Sequence, residues 1–353
     1  MKKGVLLEET KMKKLLSLVL ALIMIMSMAA CSNEPEKPDV PEEPAVSEPS
    51  EPAVPEEPEE PEFSGAEVKV GMLKGPTGMG AAWLMEQNEL GLTLNSYEFT
   101  VAGAPDELTG QLIQGGLDIA ALPTNAISSL YNKTEGKIVC LGINTLGVLY
   151  ILENGESISS IKDLDGKTVL VSGKGSTAES VLNYILSENG VNAEIYWASE
   201  HAEAATLAIT GEYDIVMLPE PFVTNVMSKS ENFRVALNLS AEWESLTNGV
   251  LTMGGIAVRK EFLEQNPKAV AEFIKDYGMS IEFTNENPSE AGAFIEKYEI
   301  AAAAVAEKAI PRCNIVWING EEYKTVLENF LSVLFNENPA SIGGAMPAED
   351  FYG

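Results

Sequence analysis

The chain has 353 residues, 45% of them hydrophobic, and a formal charge of -30 with a pI near 4.3. That length accommodates more than one domain, and the apolar content fills sizeable cores. The 23 Lys and Arg against 53 Asp and Glu exclude a sequence-independent nucleic-acid binder, which needs clustered cations, and disfavour adsorption to anionic lipid.

The chain opens on an address. Lys11, Lys13 and Lys14 form a basic patch, the apolar run Leu15 to Met26 follows, and Met28-Ala29-Ala30-Cys31 places small residues before a cysteine. The run is shorter than the roughly 20 residues that a membrane span needs, so residues 1–30 read as a secretory signal peptide. Met12 is a better start for it than Met1, because Glu8 and Glu9 are out of place in a basic region. The motif resembles a lipobox, which implies diacylglycerol on Cys31 and a mature chain that begins there.

Residues 31–65 then form a linker dominated by Pro and Glu, as in Pro55-Glu56-Glu57-Pro58-Glu59-Glu60-Pro61. Such a segment buries no apolar surface and is expected to stay disordered. At about 3.1 Å per residue it reaches on the order of 90 Å, enough to hold a domain off a membrane.

From Ala66 onward strands and helices alternate, the pattern of mostly parallel sheets covered on both faces. Val68 to Leu73 reads as a strand, Gly80 to Gln87 as a helix, Tyr97 to Val101 as a strand, Pro105 to Gln114 as a helix and Asp118 to Leu122 as a strand. Ile138 to Ile143 is a further strand containing Cys140, which reads as a small buried hydrophobe. Lys167 to Ser172 is a strand followed by Gly173-Lys174-Gly175 and a helix over Thr177 to Ser187. Cys313, in Pro311-Arg312-Cys313-Asn314, has no base beside it, and neither body cysteine reads as catalytic. The single histidine, His201, excludes a multi-His metal site and most Ser–His or Cys–His nucleophile pairs.

Residues 107–123 align without a gap to residues 203–219, about 96 positions later. Gly115 pairs with Gly211, Asp118 with Asp214 and Pro123 with Pro219; each copy is a helix, a glycine stop, a strand opening at Asp, and a closing Pro. Two such units suggest two related lobes.

At these residues the chain resembles the type II periplasmic-binding-protein fold and is similar to the nitrate/sulfonate/taurine and thiamine-pyrimidine solute-binding family of ABC importers. The pieces that carry the likeness are Val70-Gly71-Met72-Leu73-Lys74-Gly75-Pro76-Thr77-Gly78, Gly116-Leu117-Asp118-Ile119-Ala120, Asp163-Leu164-Asp165-Gly166-Lys167-Thr168-Val169, Leu218-Pro219-Glu220-Pro221, and Asn266-Pro267 with Asn287-Pro288. The resemblance implies an α/β protein of two lobes, the first from residues 66–147 plus 250–353 and the second from 148–249. Hinge strands are expected near Gly147–Tyr150 and Leu246–Thr252. It further implies an exported, monomeric receptor without a cofactor, anchored through Cys31 to the outer face of the cytoplasmic membrane, or its periplasmic side where an outer membrane exists. Its partners would be a small solute and the permease and ATPase of an importer.

Ligands of open α/β sheets sit beyond the carboxyl ends of the strands. The candidates there are Thr77, Gly78 and Met79 after the first strand, Thr124 and Asn125 after the first repeat strand, Asn144 and Thr145 after Ile143, Gly175, Ser176 and Thr177 at a Gly-rich helix start, and Glu220 after the second repeat strand. Gly173-Lys174-Gly175-Ser176-Thr177 lacks the Gly-Lys-Ser/Thr order of a phosphate loop. A carboxylate at Glu220 would repel a bare sulfonate and accept N–H donors, which tilts the expected ligand toward a thiamine-pyrimidine-like compound. Trp83, Trp197, Trp243 and Trp317 are candidates for stacking on a flat ligand or for core packing. Two other readings stand beside the receptor: an enzyme on the same fold, like those of the menaquinone pathway, and a surface lipoprotein with no transport role.

Overall fold

The computed structural model describes residues 63–353 apart from Gly175. The leader, its Cys31 and most of the Pro/Glu linker therefore lie outside the described residues. Two separate sheets organise the body.

The first sheet gathers β1 (Glu67–Leu73), β2 (Ser96–Ala102), β3 (Ile119–Pro123), β4 (Ile138–Leu146), β10 (Thr252–Arg259) and β11 (Ile315–Ile318), in the order β11-β4-β10-β3-β1-β2. Between them run α1 (Pro76–Met79), α2 (Ala82–Glu89), α3 (Pro105–Gln114) and α4 (Thr124–Lys133). The second sheet gathers β5 (Leu149–Asn154), β6 (Thr168–Ser172), β7 (Glu194–Ala198), β8 (Ile215–Pro219) and β9 (Phe233–Asn238), in the order β7-β6-β8-β5-β9. Its helices are α5 (Thr177–Glu188), α6 (His201–Ile209), α7 (Phe222–Lys229) and α8 (Leu239–Thr247). After β10 come α9 (Lys260–Gln265), α10 (Pro267–Glu286), α11 (Pro288–Lys297), α12 (Ala303–Ala309) and, beyond β11, α13 (Glu321–Glu337).

The two sheets share one plan. β1 pairs in parallel with β2 and β3, and β6 in parallel with β7 and β8. One antiparallel strand then enters from the other lobe: β10 beside β3 and β4, and β5 beside β8 and β9. The chain crosses once between Leu146 and Leu149 and returns between α8 and β10. The inner strands β3, β6 and β8 are apolar on both faces, as buried parallel strands must be: Ile119 to Leu122, Val169 to Val171 and Val216 to Leu218 are all buried, whereas β2 and β7 at the sheet edges carry exposed positions.

The internal repeat takes equivalent positions in the two lobes, as α3–β3 and α6–β8. Gly115 and Gly211 end their helices at φ 80° and 79°, a left-handed conformation that a side chain disfavours. The copies differ at their aspartates. Asp118 accepts from the Lys69 N–H at 3.0 Å and from Arg259 Nη2 at 2.6 Å, whereas the exposed Asp214 accepts from Asn154 Nδ2 at 2.9 Å.

One boundary moves. Asn144 and Thr145 stand inside β4 instead of beyond it, because pairing with β10 carries the strand on to Leu146. Among the described residues no helix is long and apolar enough to cross a membrane.

Candidate functional site

All parallel strands of a lobe end on one side, and in each lobe that side faces the other lobe: Thr177, opening α5 after β6, donates its hydroxyl to Asn125 Oδ1 of α4 at 2.6 Å. The loops at these strand ends form the candidate site.

In the first lobe, Thr77 turns its hydroxyl back to the Leu73 carbonyl at 3.2 Å, closing the first turn after β1. Its own carbonyl accepts from the Tyr277 hydroxyl at 3.3 Å, and Tyr277 in turn accepts from Asn144 Nδ2 at 2.9 Å. Thr145 completes the chain by donating to Asn144 Oδ1 at 3.2 Å. Burial holds the Tyr277 phenol far above its usual range, so it stays a donor. This network ties the ends of β1 and β4 to α10. Asn125 reaches both ways, its amide donating to the Ser341 carbonyl at 3.2 Å while its oxygen receives Thr177.

In the second lobe, Ser176 caps α5 by accepting from the Ala178 N–H at 3.2 Å and donates to the Gly173 carbonyl at 2.5 Å. Thr177 takes no part in that cap and reaches across to Asn125 instead. Lys174 in the same loop is exposed, as is Lys74 in the corresponding loop after β1.

Three candidates stand elsewhere than expected. Met79 is fully buried, its sulfur 3.9 Å from Cys313 Sγ, and serves packing. Thr124 is also fully buried, 3.2 Å from both the carbonyl and the hydroxyl of Thr252, so it fastens α4 to β10. Glu220, whose peptide bond to Pro221 is cis, has a side chain with no exposure. Its Oε1 takes Arg312 Nε at 2.6 Å and its Oε2 takes the Thr224 N–H at 3.1 Å. Both oxygens are committed within the protein, and the expectation that Glu220 receives N–H donors from a ligand gives way to an ion pair. Gly78 stands buried in α1, and Gly175 lies outside the described residues.

Arg312 itself is absent from the sequence expectations. It follows α12, in the first lobe, and also donates Nη2 to Thr224 Oγ1 at 2.6 Å in the second. No local signal marked it, because the carboxylate it meets lies 92 residues away in the sequence. His201, the one histidine, stands with its Nδ1 2.6 Å from Ser172 Oγ, a contact that the sequence reading did not name.

The tryptophans favour packing. Trp83 stacks on Phe283 at 5.2 Å, Trp243 is buried between Tyr184 and Phe330, and Trp317 meets Tyr277 edge-on at 5.2 Å. Trp197 is half-buried on β7. Cys140 and Cys313 are free, buried thiols, and burial pushes Cys140 up to about 12. Among the described residues no group of three or more His, Cys, Asp or Glu is placed to hold a metal ion. Thr177 at the start of α5 and Asn125 at the start of α4 thus bring a hydroxyl and an amide of the two lobes together, beside the capped helix start at Ser176.

The model of a family described as menaquinone biosynthesis matches residues 88–313, a span through both sheets. None of the curated proteins compared with the chain matches it. Among solved structures, the chain is similar to an ABC transporter from Parabacteroides distasonis, with 23% identity and a TM-score of 0.70 over 81% of this chain and 98% of that one. It is also similar to the periplasmic aliphatic sulphonate binding protein SsuA from Escherichia coli, with 17% identity and a TM-score of 0.64 over 80% and 92% of the two chains. The alkanesulfonate-binding protein SsuA from Xanthomonas axonopodis pv. citri, bound to MOPS, aligns with 14% identity and a TM-score of 0.60 over 78% and 94%. The fold is that of the periplasmic binding proteins.

Proposed function

We propose a function for a chain that belongs to the menaquinone biosynthesis family: it captures a small organic molecule between its lobes outside the membrane and delivers it to the permease and ATPase of an ABC importer. The observation that carries this reading is the bond from Thr177 to Asn125, which brings polar side chains of opposite walls within reach of one small guest. Two crossovers and a symmetric pair of sheets suit a hinge that opens and shuts around it. The leader and the Pro/Glu linker support export and lipidation at Cys31, with the receptor acting as a monomer on its tether.

The ligand we infer carries an oxyanion end, sulfonate-like in preference to thiamine-pyrimidine-like. Glu220 no longer argues against an anion, because Arg312 neutralises it. The start of α5 offers N–H groups and the positive end of a helix dipole, and Lys174 adds a cation beside it. The sulfonate binders among the similar structures support the same class.

A second reading, an enzyme using the same cleft, is favoured by the family match itself. Calorimetry and thermal shift with 1-butanesulfonate and a panel of small carboxylates, followed by mass spectrometry of the recovered compound, separate the two. A bound compound at 100 times its dissociation constant stabilises the chain by about 2.7 kcal/mol and is recovered unchanged from a receptor. A new product in the recovered pool would move the protein to the enzymes, and failure of every anion to bind would remove the oxyanion ligand.

A further inference from the structure

His201 opens α6 beyond the end of β7, and Ser172 ends β6, the neighbouring strand. The Ser172 side chain is buried, with the residue only 1% exposed, and its Oγ stands 2.6 Å from His201 Nδ1. The imidazole leans on Phe222 at the start of α7, with ring centroids 5.4 Å apart. A Cβ built on Gly173 would lie 3.5 Å from its Cε1. The ring therefore spans the cleft-side ends of β7, β6 and β8, next to the loop that carries Thr177.

The hydrogen bond fixes which ring nitrogen is protonated. No other described group is placed to accept the Ser172 proton. Were Nδ1–H the donor, the serine O–H would be left buried without a partner, whereas a serine that donates to Nδ1 is satisfied. The proton of the neutral ring then sits on Nε2. Burial lowers the His201 pKa below its ordinary range, which keeps the ring neutral. Among the described residues Nε2 has no hydrogen-bond partner, and it is not one of the buried side-chain atoms without one, which are Ser240 Oγ and Trp317 Nε1. His201 is half-buried, so Nε2 keeps its hydrogen-bonding capacity for a group from outside the fold.

We propose that His201 is a ligand-contacting residue of the second lobe, with Ser172 as its positioning residue: Ser172 holds the Nε2–H tautomer, and Nε2–H donates to an oxygen of the bound molecule. This deepens the proposed function and rests on its oxyanion ligand for the second half of the claim.

Because His201 is the only histidine in the chain, its ring nitrogens can be read without assignment in a long-range nitrogen–proton spectrum of the untagged, full-length protein. The expected spectrum shows the Nε2–H form, and Ser172→Ala should collapse it to a mixture of tautomers. An Nδ1–H form, or a Ser172→Ala spectrum unchanged from the parent, overturns the assignment whether or not a ligand is known. With 1-butanesulfonate as the probe, His201→Leu should weaken binding roughly 10-fold or more, with His201→Gln recovering part through its amide N–H. Equal affinity in parent and His201→Leu overturns the ligand contact. Failure of 1-butanesulfonate to bind the parent chain counts against the proposed ligand class, and the tautomer result still decides the Ser172–His201 pair.

Discussion

Arg312 crosses from one lobe to the other to place Nε 2.6 Å from Glu220 Oε1, joining a side chain that is 36% exposed to one with no exposure at all. The asymmetry determines how the pair responds to mutation. Arg312→Ala strands a buried carboxylate and should cost roughly 2–3 kcal/mol, less than for a pair buried at both ends. Adding Glu220→Gln removes the stranded charge and should restore about 1 kcal/mol. Urea denaturation checks the order: a double variant less stable than Arg312→Ala would show that the charge is not the main cost. Small-angle scattering should also show Arg312→Ala as the more open molecule.

The paired aspartates of the repeat differ in the same physical way. Asp118 is buried and bridges β1 to Arg259, whose Nε also donates to the Leu117 carbonyl at 3.0 Å, while Asp214 is exposed with one amide partner. Asp118→Ala should destabilise the chain by about 2 kcal/mol and Asp214→Ala by less than about 1 kcal/mol. Equal midpoints in denaturant would refute the distinction.

That contrast shows what the sequence could reveal. Periodicity and glycine stops placed Pro105–Gln114 and the Gly115 to Pro123 strand unit, because backbone pattern repeats with the lobe. Thr177 and Asn125, which meet between the two lobes, were legible as residues that follow strand ends. The partners of Glu220 and His201 were not, since Arg312 is 92 residues from one and Ser172 is 29 residues from the other. Local spacing carries no record of contacts that only the closed sheet order creates. Thr124 misled for a related reason: a hydroxyl at a helix start looks open until β10 arrives from far along the chain.

The buried imidazole makes stability depend on pH. The His201 pKa is lowered in the folded chain from an ordinary 6.5 because burial penalises the charged ring. The unfolded chain therefore binds more protons over the window below 6.5, and stability rises with pH there. The contribution is complete above the unfolded value and is lost as pH falls toward the folded one. His201→Gln removes it, so parent and variant should diverge in denaturation midpoint between about pH 7.5 and about pH 5.5, with the parent losing more. Parallel curves would show that the ring does not titrate differently on folding.

The first crossover offers a test of the hinge itself. Gly147 presses against α8 so closely that a Cβ there would lie 2.0 Å from Ser240 Oγ and 2.9 Å from both Ser240 Cβ and a Leu251 methyl. Its carbonyl accepts from Asn314 Nδ2 at 2.5 Å, which pins the crossover from the other side. Gly147→Ala must therefore push the two lobes' connections apart, at a cost of roughly 1–3 kcal/mol. Ser240 Oγ is buried without a partner, so Ser240→Ala removes an unsatisfied hydroxyl and should stabilise the chain by up to about 1 kcal/mol. Ser240→Gly clears both serine atoms from the overlap and leaves the Leu251 methyl. Gly147→Ala should then cost at least about 0.5 kcal/mol less in the Ser240→Gly background than alone, a coupling that distant sites do not show. Strictly additive costs would mean that Gly147 and Ser240 do not meet in the folded protein, and the first crossover would lose its place as the tight pivot between the lobes.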